Sequence, residues 1–310
     1  MKRFILFLLL ACSCLGGDDT AARKQDMLWQ KLARNIEGLD SQLDGVMGVA
    51  IVDLTDHRQW AYHADDVFPT ASTIKLAILA DLYRQGELSL EGKPARARLS
   101  DRYTVRREDL VADSAVLGNM TPGVTILTNR DLAGAVVAVS DNSASNILAS
   151  RLGIDDVNAL LDSLGLKKTR LRRQMMDLAA AKQGRENVAT PAELVSLLRA
   201  IYDNQIFRPA LTKDFFTLLA TPKDSWIPRL IPEGVKIANK PGSLAGVRCD
   251  AGIVFVPNRP FAIAIMTTYD RDEHASEETI SRVAQLAWRM FDVMSVSSSY
   301  GRQITERNSH

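Results

Sequence analysis

Strand-forming runs occur near both ends of this chain, and between them lies a long stretch with helical pattern. Gly45-Val-Met-Gly-Val-Ala-Ile-Val-Asp-Leu54 is apolar and β-branched, ends in the polar turn Thr55-Asp-His-Arg58, and is followed by Gln59-Trp-Ala-Tyr-His63, which predicts a hairpin. A second hairpin is predicted where Ile253-Val-Phe-Val256 and Phe261-Ala-Ile-Ala-Ile-Met266 flank Pro257-Asn-Arg-Pro260. From Ser72 to about Gln205 the periodicity is helical, with long polar connections. Amphipathic helices are predicted from Asp18 to about Asp44, with Met27, Leu28, Leu32, Ile36 and Leu39 on one face, and from Ala275 to Met294, with Ile280, Val283, Leu286, Ala287 and Phe291. The economical assembly is an α/β (α+β) domain. One antiparallel sheet is built from both ends (25–70 and 233–295) and covered by the terminal helices, with an all-helical lobe (71–232) inserted between strands. A site carried by both lobes would lie in the crevice between them.

Within the helical stretch, Phe68-Pro-Thr-Ala-Ser-Thr-Ile-Lys-Leu-Ala-Ile-Leu79 places a hydroxyl and an amine three residues apart at a helix start. Apolar residues occur nearly all the way round from Thr73 to Tyr83, which predicts a buried helix and a rigid mount. Ser72 and Lys75 then share a face, and burial favours the neutral amine that can take the serine proton. Alone, this spacing reads equally as a helix start with a capping serine. Ser140-Asp-Asn142 interrupts two apolar helical runs and reads, alone, as an N-cap. Lys236-Ile-Ala-Asn-Lys240-Pro-Gly-Ser243 opens the later strand region with a lysine beside a glycine, which is either a plain strand edge or a place of close backbone approach.

Composition narrows the setting. With 46% hydrophobic and 24% charged residues over 310 positions and a formal charge of +1, the chain can bury a sizeable core and carries no electrostatic signature of nucleic acid or a membrane surface. Met1-Lys-Arg followed by Phe4-Ile-Leu-Phe-Leu-Leu-Leu-Ala11 has the pattern of an export signal and is too short to span a bilayer. The run ends in Leu9-Leu-Ala-Cys12, which resembles a bacterial lipoprotein cleavage site and predicts a signal over 1–17 with lipidation of Cys12; simple cleavage nearer Gly17 is the alternative. Cys12 and Cys14 fall in that signal, so Cys249 is the one cysteine of the body and is expected as a small buried residue by a strand. No CxxC or HExxH occurs, and neither a metal site nor a cofactor is expected. The Ser-rich tail over 296–310 reads as disordered.

Taken in order, Ser-x-x-Lys at Ser72, Ser-Asp-Asn at Ser140 and Lys-x-Gly at Lys240 resemble the penicillin-recognising serine hydrolases, closest to class A β-lactamases, over roughly residues 25–295. The resemblance implies a β-lactamase/transpeptidase-like fold with a five-stranded antiparallel sheet and a helical lobe. It also implies roles: Ser72 attacks a lactam or peptide carbonyl, Lys75 acts as base or electrostatic partner, and Ser140 passes a proton to the leaving nitrogen. Asn142 would hold Lys75 and a substrate amide, and Lys240 would orient Ser140 and attract the substrate carboxylate. The backbone N–H groups of Ser72 and Ser243, beside Gly242, would form the oxyanion hole. Arg248, eight residues past Lys240 on the adjoining strand, is a candidate second cation for that carboxylate or else a surface arginine.

Two departures qualify these implications. In class A enzymes a loop glutamate activates the water that releases the acyl group. Here that position falls on Met175, in Thr169-Arg-Leu-Arg-Arg-Gln-Met-Met-Asp-Leu178, and its asparagine partner falls on Ala179. Neither can act as a base, so Asp177 and Glu186 are the remaining candidates, with Glu186 also suited to pairing with Arg172 or Arg173. Pro241 stands where the family usually offers a hydroxyl. The expected function is therefore an exported periplasmic serine hydrolase that opens β-lactams through a Ser72 acyl-enzyme with impaired deacylation. The alternatives are a D,D-carboxypeptidase or related peptidoglycan-directed amidase or esterase, and a non-catalytic cell-wall or β-lactam binding module. Its partners would be a small β-lactam or a D-Ala-D-Ala peptide, with no nucleic acid, a membrane only through the lipid anchor, and a monomeric state.

Overall fold

The structure, a computed structural model, describes residues 16–298 and 300–304. In chain order its elements are α1 (Gly16–Asp40), β1 (Val46–Asp53), β2 (Gln59–Tyr62), β3 (Phe68–Pro69), α2 (Lys75–Leu90), β4 (Arg102–Thr104), β5 (Ile126–Thr128), α3 (Asn129–Ala138), α4 (Asn142–Leu152) and α5 (Ile154–Ser163). They continue with α6 (Leu178–Lys182), β6 (Val188–Ala189), α7 (Pro191–Tyr202), α8 (Pro209–Leu219), β7 (Ile237–Leu244), β8 (Val247–Val254), β9 (Phe261–Thr268) and α9 (Glu273–Ser295). Five of the strands form one antiparallel sheet in the order β2-β1-β9-β8-β7. The N-terminal hairpin joins the C-terminal strands through β1 and β9, paired from Val46↔Thr268 to Asp53↔Phe261.

Both faces of this sheet are covered. On one, Ala50, Ala264 and Ala251 align across β1, β9 and β8, and such small side chains suit the approach of α7 and the core of the helical lobe. On the other, Val49, Ile51, Ile263 and Ile265 meet Trp29 and Ile36 of α1 and Ile280 and Phe291 of α9. Phe291 stacks on Phe261 with ring centroids 4.3 Å apart and meets Trp29 edge-on at 5.7 Å. Burial on two sides is why β1 and β9 read as near-continuous apolar runs, whereas β8 carries two buried charges, Arg248 and Asp250, on one face. Helix α2 is buried at every residue from Lys75 to Tyr83, as its all-round apolar pattern requires. Cys249 is fully buried in β8, and burial pushes its thiol well above the usual range, which makes it unreactive.

Two expectations are corrected. The lobe over 71–232 is not all helix: β4 pairs with β5 (Arg102↔Thr128 to Thr104↔Ile126), and β6 reaches back to β3 (Phe68↔Ala189). Strands of two or three residues are too short to show a period in sequence. The tail does not lose order at Ser295. Ser297 bridges to Gln303, the Ile304 N–H donates to Val296 O at 2.8 Å, and Lys24 Nζ donates to Tyr300 O at 3.0 Å, so backbone pairing and α1 tie down the described tail residues 296–298 and 300–304. The rest of the tail, and the signal with Cys12, lie outside the described residues.

Candidate active site

Ser72 sits in a 3₁₀ turn, Ala71–Ile74, that runs directly into α2, rather than in the α-helix itself. In 3₁₀ geometry residues three apart eclipse one another, so Ser72 stacks over Lys75 more directly than on an α-helix. The residue before the nucleophile, Ala71, has φ 47°, a left-handed backbone that costs energy for any residue with a Cβ. Asp113 (φ 53°), Ser140 (φ 57°) and Met176 (φ 64°) share that conformation, and all four border the two cavities flanking Ser72. Strain concentrated in this way marks a place where side-chain aim is held by the surrounding structure.

Ser140-Asp-Asn142 is both a cap and a site. Asp141 is fully buried, caps α4 by accepting from Ala144 N at 2.9 Å, and accepts from Val116 N and Leu117 N at 3.0 and 2.9 Å. Those bonds fix the loop that carries Asp113 and leave the residues on either side of Asp141 free for Lys75. Lys75 Nζ lies 2.6 Å from Ser140 O, 2.8 Å from Asn142 Oδ1 and 3.0 Å from Ser140 Oγ. Asn142 Nδ2 donates to Ala112 O at 3.3 Å, which orients its oxygen toward the lysine.

The second lysine arrives on the edge strand. Lys240 Nζ donates to Ser140 Oγ at 3.0 Å and to Pro241 O at 2.9 Å. Strand β7 reaches the Ser72 turn because Gly242 has no side chain: a Cβ there would stand 2.7 Å from Ser72 N, Thr70 O and Thr73 N. Backbone cannot yield as a flexible side chain can. Gly242→Ala is accordingly expected to cost about 1–3 kcal/mol by overpacking and to push β7 off the nucleophile. A lowered melting temperature together with slower β-lactam acylation checks this, and a variant normal in both would remove the close approach from consideration.

The protonation pattern follows from burial. Desolvation pushes Lys75 down to about 7, against the opposing charges of Asp141 and Asp113. Desolvation, then the charge of Lys75, holds Lys240 well below its ordinary range as well. A neutral Lys75 has two N–H donors and one lone pair. As the ammonium, Lys75 donates to Ser140 O, Asn142 Oδ1 and Ser140 Oγ, and loss of one proton frees the lone pair to accept one from a hydroxyl while a donor remains for Ser140 Oγ. With Lys240 donating to the same oxygen, the three side chains form one hydrogen-bonded chain. The Ser72 hydroxyl is half-buried, borders both cavities, and has no hydrogen-bond partner among the described residues.

The loop after α5 is closed by reciprocal backbone bonds between Arg170 and Val188, at 2.8 and 3.1 Å. Asn187 accepts from Arg172 N and Arg173 N through its side chain, while its carbonyl accepts from Thr70 N, two residues before Ser72. Asn146 of α4 grips Met175 from both sides, accepting from its N–H at 2.7 Å and donating to its carbonyl at 3.0 Å. Met175 thus stands on a locked backbone bordering the cavity of Ser72. Of the two alternative carboxylates, Asp177 caps α6 by accepting from Ala180 N at 2.9 Å and does not border that cavity. Glu186 does border it, and is ion-paired to Arg173 Nη2 at 2.8 Å.

Arg248, the candidate second cation, is turned toward α9. In the register Lys240↔Ala251 and Ser243↔Arg248, alternation sends its side chain to the opposite face from Lys240. There it pairs with Glu273 and, at 3.1 Å, Glu277 of α9, and donates to Leu244 O and Val247 O. It is buried and neutralised, so it is neither a surface arginine nor a free charge. Sequence reasoning missed Asn146, Asn187, Asp141 as a loop clamp, Asp113, and Lys223, which borders the cavity of Ser140 and Lys240. An asparagine gripping a backbone across 29 residues leaves no local signal. Asp141 alone was within reach, since it sits inside a motif already singled out.

Comparison with known proteins agrees with this geometry. Residues 30–291 match the model of the beta-lactamase enzyme family, and the chain belongs to that family. It is 25% identical to beta-lactamase SME-1 of Serratia marcescens over 299 residues, covering 92% of this chain and 96% of that protein. It is 26% identical to beta-lactamase 3 of Bacillus cereus over 249 residues, covering 78% and 75%. Among solved structures, an ancestral class A β-lactamase superposes with a TM-score of 0.76 at 27% identity, covering 84% of this chain and all of that one. PBP-A superposes with a TM-score of 0.75 at 25% identity, covering 84% and 96%. The fold is that of β-lactamases and transpeptidases, and the protein is a class A-like, penicillin-recognising serine hydrolase.

Proposed function

We propose that the protein opens β-lactam rings through an acyl-enzyme on Ser72 and releases the acyl group slowly. Neutral Lys75 takes the Ser72 proton as the hydroxyl oxygen attacks the lactam carbonyl. The charge on the carbonyl oxygen is met by the N–H groups of Ser72 and Ser243; the first belongs to a helical first turn, where N–H groups lack an intrahelical partner. Ring opening leaves a nitrogen that takes the Ser140 proton, which Lys75 replaces along their hydrogen bond. The observation that carries this reading is the connected chain of Lys75, Ser140 and Lys240, at 3.0 Å on either side of one hydroxyl. Slow release is supported by an apolar side chain at Met175 and by the commitment of Glu186 to Arg173. PBP-A carrying a leucine-to-glutamate substitution has been solved as an acyl-enzyme complex with penicillin G, at a TM-score of 0.75 to this chain.

The test is to incubate the protein with a chromogenic cephalosporin and follow colour and intact mass together. A burst of colour equal to the protein concentration, a stoichiometric adduct on Ser72 and a slow steady phase are expected. A folded protein that forms no adduct with any β-lactam would sink the reading. The rate of adduct formation is expected to rise with pH through about 7 and then level, because only the unprotonated Lys75 can accept the serine proton. A rate that is flat across that value would remove Lys75 as the base. The same reading places the mature protein outside the inner membrane as a lipid-anchored monomer, with Cys12 its first residue. Among the described residues no helix is long and apolar enough to cross a membrane, and the intact mass of the purified mature chain checks the processing site.

A further inference from the structure

We infer that Asp113 makes the protein selective for acyl groups that carry an ammonium close to the scissile carbonyl. The two cavities flanking Ser72 differ in chemistry. Ser140, whose proton goes to the leaving nitrogen, borders the one that also contains Lys240, so the leaving side of the substrate lies there. The acyl substituent then extends into the other, walled by Met175, Leu178 and Leu244 and bordered by three charged residues, Asp113, Arg173 and Glu186. Arg173 and Glu186 neutralise each other at 2.8 Å. Asp113 is left as the unpaired charge of this cavity, because its carboxylate makes no hydrogen bond and no ion pair among the described residues.

The carboxylate is exposed, but the backbone that carries it is fixed on both sides. Before it, Ala112 O accepts from Asn142 Nδ2 at 3.3 Å, and Asp113 O itself accepts from Asn142 N at 3.4 Å. After it, the buried Ser114 hydroxyl accepts from Ser143 N at 2.9 Å and lies 2.7 Å from Ser143 Oγ. The end of α4 that presents Asn142 to Lys75 therefore also sets the position of Asp113. Lys75 does not serve as its partner: the charge of Asp113 reaches Lys75, but the lysine makes its hydrogen bonds to Ser140 and Asn142. With one ion pair and one free carboxylate, the cavity carries a net negative charge over an apolar wall. A substituent with an apolar body and an ammonium fits both features, gaining a charge-assisted hydrogen bond. An anionic substituent in the same place would meet a like charge.

This inference rests on the acylating role of Ser72, and the experiment separates the two. Adduct formation is followed at about pH 6.5, below the ordinary range of an α-amino group. Three penicillins that share a phenylacetyl body are used, differing at its α-carbon: benzylpenicillin with hydrogen, ampicillin with an ammonium and carbenicillin with a carboxylate. Wild type and Asp113→Asn are compared. Asparagine keeps the shape of the side chain and tolerates the left-handed backbone at φ 53°, so it removes the charge alone. Relative to benzylpenicillin in each protein, the acylation rate of ampicillin is expected to fall about 3- to 30-fold in Asp113→Asn, and that of carbenicillin to rise by a similar factor. Asp113→Glu is expected to restore the order of the wild type. The ratio cancels the change that loss of Asp113 imposes on Lys75, which the three compounds share. Equal changes for all three would reduce Asp113 to a background charge on Lys75 and overturn the inference. If the wild type forms no adduct, binding of the three compounds is compared in Ser72→Ala with and without Asp113→Asn. An ammonium preference that is lost with the carboxylate then supports the selectivity while the acylation reading fails, and equal binding, or none, overturns the selectivity as well.

Discussion

Ser72→Ala is expected to form no adduct with a chromogenic cephalosporin and to lose hydrolysis by roughly 10⁴- to 10⁶-fold, the scale on which removing a nucleophile that acts in concert with its base is felt. The loss should come without unfolding. The Ser72 side chain is half-buried and makes no hydrogen bond among the described residues, and such a site contributes within about 0.5 kcal/mol to stability. Lys75 keeps its bonds to Ser140 and Asn142 in the variant, so the three-residue chain is intact but has no hydroxyl to activate. Intact mass after incubation, with a melting curve alongside, makes the check. An adduct that persists in Ser72→Ala would move the nucleophile elsewhere, and Ser140 would be the first place to look.

Met175→Glu is expected to have the second largest effect, in the opposite direction. Its site is prepared: Asn146 fixes the Met175 backbone on both sides, and the side chain borders the cavity of Ser72. A carboxylate there can activate a water for attack on the Ser72 ester. General-base assistance of this kind is worth about 10²- to 10⁴-fold, read as shortening of the adduct lifetime with little change in its rate of formation. Since Met175 is only 7% exposed, desolvation raises the new carboxyl group's pKa, and release should accelerate with rising pH until the group is ionised. An unchanged lifetime in a folded variant would mean that slow release has another cause, such as exclusion of the water itself.

The paired predictions reflect a division in the site. The acylating half is built from motifs that are local in sequence, so it could be read: a serine and a lysine one turn apart, a capping triplet, a lysine two residues before a glycine. Their order along the chain carried more weight than any one of them, because each alone fits a helix start or a strand edge. The releasing half depends on a loop whose shape is imposed from outside, by Asn146 across 29 residues and by Asn187 reaching Thr70. Asp177 looked available until the structure put it to work as the cap of α6. Arg248 looked available until the β7–β8 register turned it toward α9.

By itself, the sequence determined the long helices and the sheet strands at either end, and which chemistry the motif residues can perform. Hydrophobic runs at both ends demanded a shared sheet, an all-round apolar helix demanded burial, and the residues at positions 72, 75, 140 and 240 demanded a base, a nucleophile and a proton carrier. Tertiary structure alone decided which charges remain free. Lys240 and Arg248, on neighbouring strands, look equivalent in sequence, yet the pairing register turns Arg248 to two carboxylates of α9 and Lys240 to Ser140. Electrostatic availability depends on distances through space and on desolvation, and neither is written in local order.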